Sequence, residues 1–62
     1  MNVWVHYESY AGRGRLAAVL IKRNAKRSRV RYIESGGPLN LGAKIGTERL
    51  VPNYAITERR AP

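Results

Sequence analysis

TERLVPNYAITER, residues 47–59, places two short apolar stretches on either side of a proline and a turn. The first stretch, TERLV, has the length of a strand, and Pro52 ends it because proline cannot donate a hydrogen bond to a sheet ladder. PNYA then indicates one tight helical turn, and ITER predicts a last short strand. The segment therefore predicts a strand, a turn and a closing strand.

Two strand-length segments lie nearer the N-terminus. In NVWVHYES, Val3, Val5 and Tyr7 form an apolar face; Trp4 lies on the other face, where it is either exposed or covers an open end of the fold. In RLAAVLIKR, either of two alternating sets of residues could face inward. We favour the set that contains β-branched residues, because these pack well in strands. The favoured inward residues are Ala17, Val19 and Ile21, and the alternative ones are Leu16, Ala18 and Leu20. A helix over LAAVLIKRNAKR is the competing prediction, since Ala and Leu are good helix formers.

In the third segment, SRVRYIE, the alternation predicts that Val30 and Tyr32 face inward and that Arg29 and Arg31 face outward. Residues 24–28 then form the hairpin turn between the second and third segments. The connection SGGPLNLGAKIG is rich in glycine, with an irregular strand expected near residues 43–45. We expect Tyr32 and Tyr54 in the core, and the terminal RAP to fray.

Five short strands, with one tight turn before the last, predict an all-β fold in a single domain spanning residues 1–62. Closure of such short strands into a small barrel would remove exposed edges. RLVPNYAIT, read together with GRLAAVLIKR and RVRYIE, resembles the order of segments in Src homology 3-like and Tudor-like barrels. The layout is also similar to the C-terminal DNA-binding barrel of retroviral integrases. The resemblance implies a five-stranded barrel with a 3-10 turn before the last strand.

The first loop, YAGRGR, departs from the Src homology 3 pattern because it is basic where those barrels carry acids. Tyr7, Tyr10 and Tyr54 are aromatic residues available for part of a groove. Arginine-bearing proline-rich peptides would be repelled by such a loop, and the overall positive charge opposes the cationic tails that Tudor domains bind.

Charge is the strongest functional signal in the composition. Twelve Lys and Arg, nine of them Arg, face four Glu and no Asp, for a net charge of +8. Arginine offers a planar fork of donors that matches phosphate, so the balance favours phosphate or carboxylate recognition. With no Cys and a single His, disulfides and multi-His metal sites are excluded, and we expect no cofactor.

The run KRNAKRSRVR, residues 22–31, contains six cations and no acid. Like charges across a hairpin are destabilising unless an anionic partner neutralises them. We therefore predict a nucleic-acid-binding surface, with DNA favoured over RNA, in which two aromatic residues stack on bases. Its predicted residues are Arg13, Arg15, Lys22, Arg23, Lys26, Arg27, Arg29 and Arg31, with the aromatic residues Trp4 and Tyr10. The competing interpretation is a solvated face that only keeps the protein soluble.

The sequence gives weaker support for other functional classes. His6 has no partner at a catalytic spacing, and the scattered Glu residues indicate ion pairs, so we expect no enzyme. RLVPNY lacks the Gln of the small-barrel plasmid dihydrofolate reductases. The alternative is an adaptor or inhibitor of a mobile element, docking on an acidic protein through Leu39, Leu41 and Ile45.

The expected setting and assembly follow from the same sequence. MNVWVHYE lacks the charged start and apolar stretch of a signal peptide, and the longest uncharged apolar run, residues 16–21, is too short for a membrane span. We expect a cytoplasmic or nucleoid-associated protein with no membrane partner. A homo-oligomer is compatible with so small a core.

Overall fold

The computed structural model describes residues 1–10, 12–37 and 42–60 of the chain. In chain order the elements are β1 (Asn2–Ser9), β2 (Gly12–Lys22), β3 (Arg27–Tyr32), β4 (Glu48–Pro52), a 3-10 turn (Asn53–Ala55) and β5 (Ile56–Glu58). The predicted all-β fold and the 3-10 turn before the last strand are confirmed. Within the described ranges, no helix has the length and apolar character needed to cross a bilayer.

The five strands form one antiparallel sheet in the order β4-β3-β2-β1-β5. Its two outer strands, β4 and β5, are consecutive in the chain and are joined only by the 3-10 turn. Among the described residues no ladder pairs them, so the sheet is open between β4 and β5. Closure into a barrel remains a prediction.

One face of the sheet carries the core, as the period-2 alternation of the strands requires. Every strand contributes to it, β5 through the partly buried Ile56, and the connection before β4 adds one small residue. The buried cluster consists of Val3, Val5, Leu16, Ala18, Val30, Tyr32, Ala43 and Val51, with Tyr7, Leu20 and Ile56 packed partly against it. The predicted inward faces of β1 and β3 are therefore confirmed, including Tyr32 in the core.

The favoured inward phase of β2 was wrong, and so was the helical alternative. Ile21 is 42% exposed and Val19 is only partly buried, whereas the other phase supplies Leu16 and Ala18 to the core. Ala17 is buried, but it does not belong to the core cluster. The cause is the pairing with β1. Leu16 lies opposite Val5 and Ala18 lies opposite Val3, and directly opposed residues share a face of the sheet.

In the described part of the connection between β3 and β4, an isolated bridge pairs Gly36 with Ala43, and residues 43–45 do not form the irregular strand expected there. Ile45 in this connection is exposed. Leu39 and Leu41, the other members of the predicted contact patch, lie outside the described residues. Residues 61 and 62 of the tail also lie outside them.

Candidate nucleic-acid interface

The tip of the β2–β3 hairpin is an exposed cluster of four cations. Lys22 ends β2, Arg27 begins β3, and Arg23 and Lys26 lie on the loop between them. We call these four residues the basic tip. Among the residues that the structure describes, no carboxylate lies within 4.0 Å of any of them. The predicted turn between the two strands is confirmed, but not with its predicted bounds of 24–28: the loop spans residues 23–26, and Arg27 and Ser28 belong to β3. Among the described residues the charge of the basic tip is not neutralised by a neighbour.

Four hydrogen bonds join this end of the hairpin to the 3-10 turn, and a fifth lies within the hairpin. The Asn53 amide nitrogen Nδ2 donates to the carbonyls of Asn24 at 2.8 Å and Ala25 at 3.2 Å. The Asn53 backbone N–H donates to the Lys26 carbonyl at 2.9 Å. Ser28 Oγ donates to Asn53 Oδ1 at 2.5 Å and accepts the Asn24 N–H at 3.3 Å. We call this network the Asn53 clamp; it fixes the backbone from which the basic tip projects.

Ser28 makes this network a buried one. Its side chain lies on the inward face of β3, in phase with Val30 and Tyr32, and the residue is 0% exposed. A buried hydroxyl without a hydrogen-bond partner costs free energy, so its two partners in the clamp are needed for stability. The loop and the 3-10 turn are therefore linked by hydrogen bonds to a buried side chain, that of Ser28.

Arg29 and Arg31 project from the outward face of β3, as predicted, but an acid lies between them. Glu48, on β4, is the direct cross-strand partner of Arg31. Its carboxylate accepts hydrogen bonds from Arg31 at 3.0 and 3.3 Å and lies 3.9 Å from the Arg29 guanidinium. Glu48 reduces the combined charge of Arg29 and Arg31 from +2 to +1. The two arginines therefore offer an anion less net positive charge than the basic tip does.

The remaining predicted residues lie toward the other end of β2. Arg13 forms an ion pair with Glu8, its cross-strand partner, at 3.3 Å. The Arg15 guanidinium lies 4.0 Å from the centroid of the Trp4 ring, a cation–π contact, and Trp4 is partly buried. Tyr10 is fully exposed in the first loop. Trp4 thus lies on the outward face with Arg15 as its stacking partner.

The Arg59 guanidinium also approaches the Trp4 ring, at 5.7 Å from the centroid. Arg59 donates to the carbonyls of Val3 at 3.3 Å and Ala18 at 3.5 Å. Arg59 therefore ties the end of β5 to β1 and β2, and its role is structural. Its neighbour Arg60 lies 3.8 Å from Glu58, so this end of the chain carries paired charge.

A groove of about 590 Å³ lies between the β1–β2 hairpin and the 3-10 turn. Its lining consists of His6, Tyr7, Glu8, Arg13, Gly14, Pro52, Tyr54 and Ala55. Tyr7 lies over its cross-strand partner Gly14: a Cβ at Gly14 would come within 2.5 Å of the tyrosine hydroxyl. The prediction of Tyr54 as a core residue was wrong, because it is 91% exposed at this groove.

The 3-10 turn lies between the groove and the basic tip. Asn53 contacts the loop that carries the tip, and the next residue, Tyr54, lines the groove together with Arg13. The structure therefore places Arg13 and the basic tip on either side of one turn, although eight residues of β2 separate Arg13 from Lys22 in the chain. The predicted cations therefore do not form one continuous surface: Arg13 lies at the groove, and the basic tip lies on the other side of the 3-10 turn.

The single histidine of the chain makes an exposed contact on the sheet. His6 Nε2 lies 2.7 Å from the Thr57 hydroxyl, an exposed hydrogen bond between β1 and β5. Three or more potential metal-ligating side chains do not come together among residues 1–10, 12–37 and 42–60. Burial raises the pKa of the Tyr32 hydroxyl, an effect opposed by Arg49, and this hydroxyl has no hydrogen-bond partner among the described residues.

Three residues important to this surface were missed by the sequence reasoning: Ser28, Glu48 and Asn53. The alternation in SRVRYIE contained a signal for Ser28, because it shares the phase of Val30 and Tyr32. Glu48 and Asn53 reach the hairpin from segments 17 and 25 or more residues away, and no local pattern indicates such contacts.

No protein-family model, curated protein or solved structure matches the chain. The resemblance to Src homology 3-like, Tudor-like and integrase barrels therefore remains a prediction from the sequence.

Proposed function

We propose that the protein binds nucleic acid through the phosphate backbone, with the basic tip as the principal contact and DNA as the favoured partner. The observation that carries the proposal is the combination of four exposed cations, which have no acidic neighbour in the described part of the chain, with a loop held by the Asn53 clamp. Phosphate contacts of this kind position a protein on a polyanion without reading its sequence.

The clamp supports the proposal through entropy. A contact from a mobile loop loses affinity because the loop must be ordered on binding, whereas a loop already held in place avoids that cost. Arg29 and Arg31 extend the positive surface along β3, but their shared Glu48 makes them secondary contacts. Arg15, whose guanidinium lies over the Trp4 ring, adds a further exposed cation on the outward face of the sheet.

We also infer that the sheet curls into a small barrel of the Src homology 3-like type. The support is that β4 and β5, the outer strands, are joined by only the three residues Asn53–Ala55. Two strands so joined lie close together at that end of the sheet. Nuclear Overhauser contacts between the backbones of β4 and β5 along their length would support closure, and contacts limited to the turn would contradict it.

A salt titration tests the proposed function. Affinity for a fluorescent oligonucleotide should fall linearly on a log–log plot as salt rises, with a slope of roughly 0.7 per phosphate neutralised on a single strand and 0.9 on a duplex. The variant pair Lys26→Gln and Lys44→Gln provides a matched comparison. Both lysines are exposed, but Lys44 lies beyond the far end of β3, near Tyr32.

The proposal expects Lys26→Gln to lower both affinity and salt slope, and Lys44→Gln to change them much less. Equal losses would mean that the net charge acts as a diffuse field, with no binding surface at the basic tip. Polyglutamate of matched charge serves as the competitor that represents an acidic protein. If it displaces the oligonucleotide as well as unlabelled oligonucleotide does, the partner class is wrong and the acidic-protein alternative is favoured.

A further inference from the structure

The groove beside the 3-10 turn is separate from the basic tip and has a different chemical character. Tyr54, which is 91% exposed to solvent, lines this groove, and Tyr7 lies partly buried over Gly14. Pro52 and Ala55 add apolar surface. An exposed aromatic ring on a fixed backbone loses little conformational entropy when a flat ligand stacks on it.

The charges in the groove are balanced. Glu8 and Arg13 form a cross-strand ion pair at 3.3 Å, so the groove does not attract a phosphate as the basic tip does. The pair still offers a carboxylate acceptor and a guanidinium donor beside the aromatic surface. This combination of a flat apolar surface with polar groups at its edge fits a nucleobase.

We infer that the groove binds an unpaired base, so that the partner is a single-stranded nucleic acid. This inference rests on the proposed function, because the phosphates of the same strand must be held by the basic tip. The covalent link between the two sites supports it: Asn53 holds the loop of the basic tip, and Tyr54 is the next residue. The groove and the loop that carries the basic tip therefore adjoin at one turn, which favours their use by a single strand.

A duplex cannot use the groove in this way. Its bases are paired and stacked, and they reach a pocket only when they are unpaired at a cost of a few kcal/mol. The protein should therefore bind a single strand more tightly than a duplex of the same length, although the duplex carries the greater density of phosphates. Electrostatic attraction alone predicts the opposite order.

Three probes of about 12 nucleotides, within the range of known single-strand site sizes, separate these contributions. They are oligothymidylate, its duplex with oligoadenylate, and an abasic oligomer with the same phosphates but no bases. We expect oligothymidylate to bind the full chain roughly fivefold to 150-fold more tightly than the abasic oligomer, the range that one stacked base supplies. The duplex should also bind more weakly than oligothymidylate.

Variants of Tyr54 assign the effect to the groove. Since this side chain is exposed, Tyr54→Ala should leave the fold intact, which circular dichroism checks. It should remove most of the preference for oligothymidylate and leave affinity for the abasic oligomer unchanged. Tyr54→Phe keeps the ring and should restore the preference. Tyr10→Ala removes another fully exposed tyrosine, one outside the groove lining, and should reduce the preference less.

The outcomes separate the two proposals. Salt-dependent binding of all three probes with no preference for bases, or a preference that survives Tyr54→Ala, would overturn the inference and leave the proposed function standing. Tighter binding of the duplex would also overturn it. Absence of binding to any probe at low salt would contradict both.

Discussion

Replacing Asn53 with Ala should destabilise the protein strongly, although this side chain is only partly buried. The change removes three side-chain hydrogen bonds, to Ser28, Asn24 and Ala25. At roughly 1 kcal/mol each, their loss comes to about 3 kcal/mol. The hydroxyl of Ser28, which is 0% exposed, also loses its acceptor. For a chain of 62 residues the total free energy of unfolding is about 3–9 kcal/mol, so the loss is a large fraction of it.

Urea unfolding of Asn53→Ala, Ser28→Ala and the double variant measures this loss. The two side chains share one hydrogen bond, so the double variant should lose less than the sum of the single losses. Thr57→Ala is the control, since it removes only the exposed hydrogen bond to His6 and should cost less than roughly 0.5 kcal/mol. A loss below about 1 kcal/mol for Asn53→Ala, or additive single losses, would refute the Asn53 clamp as a buried, cooperative network.

Three further substitutions have defined outcomes. Tyr32→Phe removes a buried hydroxyl without a partner in the described part of the chain, so stability at neutral pH should be unchanged or higher by about 1 kcal/mol. Because burial raises the pKa of Tyr32 above the ordinary 10.0, the unfolded chain loses this proton first; wild-type stability should fall as pH rises past about 10, and urea unfolding should show a smaller fall in the variant. Gly14→Ala would place a Cβ 2.5 Å from the Tyr7 hydroxyl, so the ring must shift; because the atoms in the way are the outer end of a partly exposed side chain, the cost should be at most about 1 kcal/mol, and a loss near ~3 kcal/mol in urea would mean that Tyr7 cannot move. Glu48→Gln should cost less than about 1 kcal/mol, because its ion pairs are exposed, and should steepen the salt slope for oligonucleotides by up to about 0.7 for each arginine it frees; an unchanged slope would mean that these arginines do not contact phosphate.

The strands and the 3-10 turn were predictable because their signals are local. Alternation identified the inward residues of β1 and β3, and Pro52 followed by Asn53 marked the turn. The phase of β2 was not predictable in this way. Both of its faces carry aliphatic residues, and the choice between Leu16 and Val19 as the more buried one depends on alignment with β1. A β-branched side chain favours a strand but does not decide which face of it is buried.

The candidate surface was predictable only in its charge. The cations of the β2–β3 hairpin are adjacent in the chain, so their clustering follows from the hairpin itself. The neutralising Glu48 and the clamping Asn53 come from β4 and the 3-10 turn, and tertiary pairing alone brings them to the hairpin. Tyr54 was misassigned because aromatic side chains bury a large area and were expected in the core, whereas this 3-10 turn has no buried residue.

The central claim is that the basic tip contacts the polyanion, and backbone amide chemical shifts of ¹⁵N-labelled protein test it most directly. Oligothymidylate is added at low salt, and the spectra are followed to saturation. The account predicts that the largest shifts fall on residues 22–27 and on the adjoining 3-10 turn, Asn53–Ala55. Shifts that are largest at residues 42–48, beyond the opposite end of β3, or shifts spread evenly over all exposed cations, would contradict it.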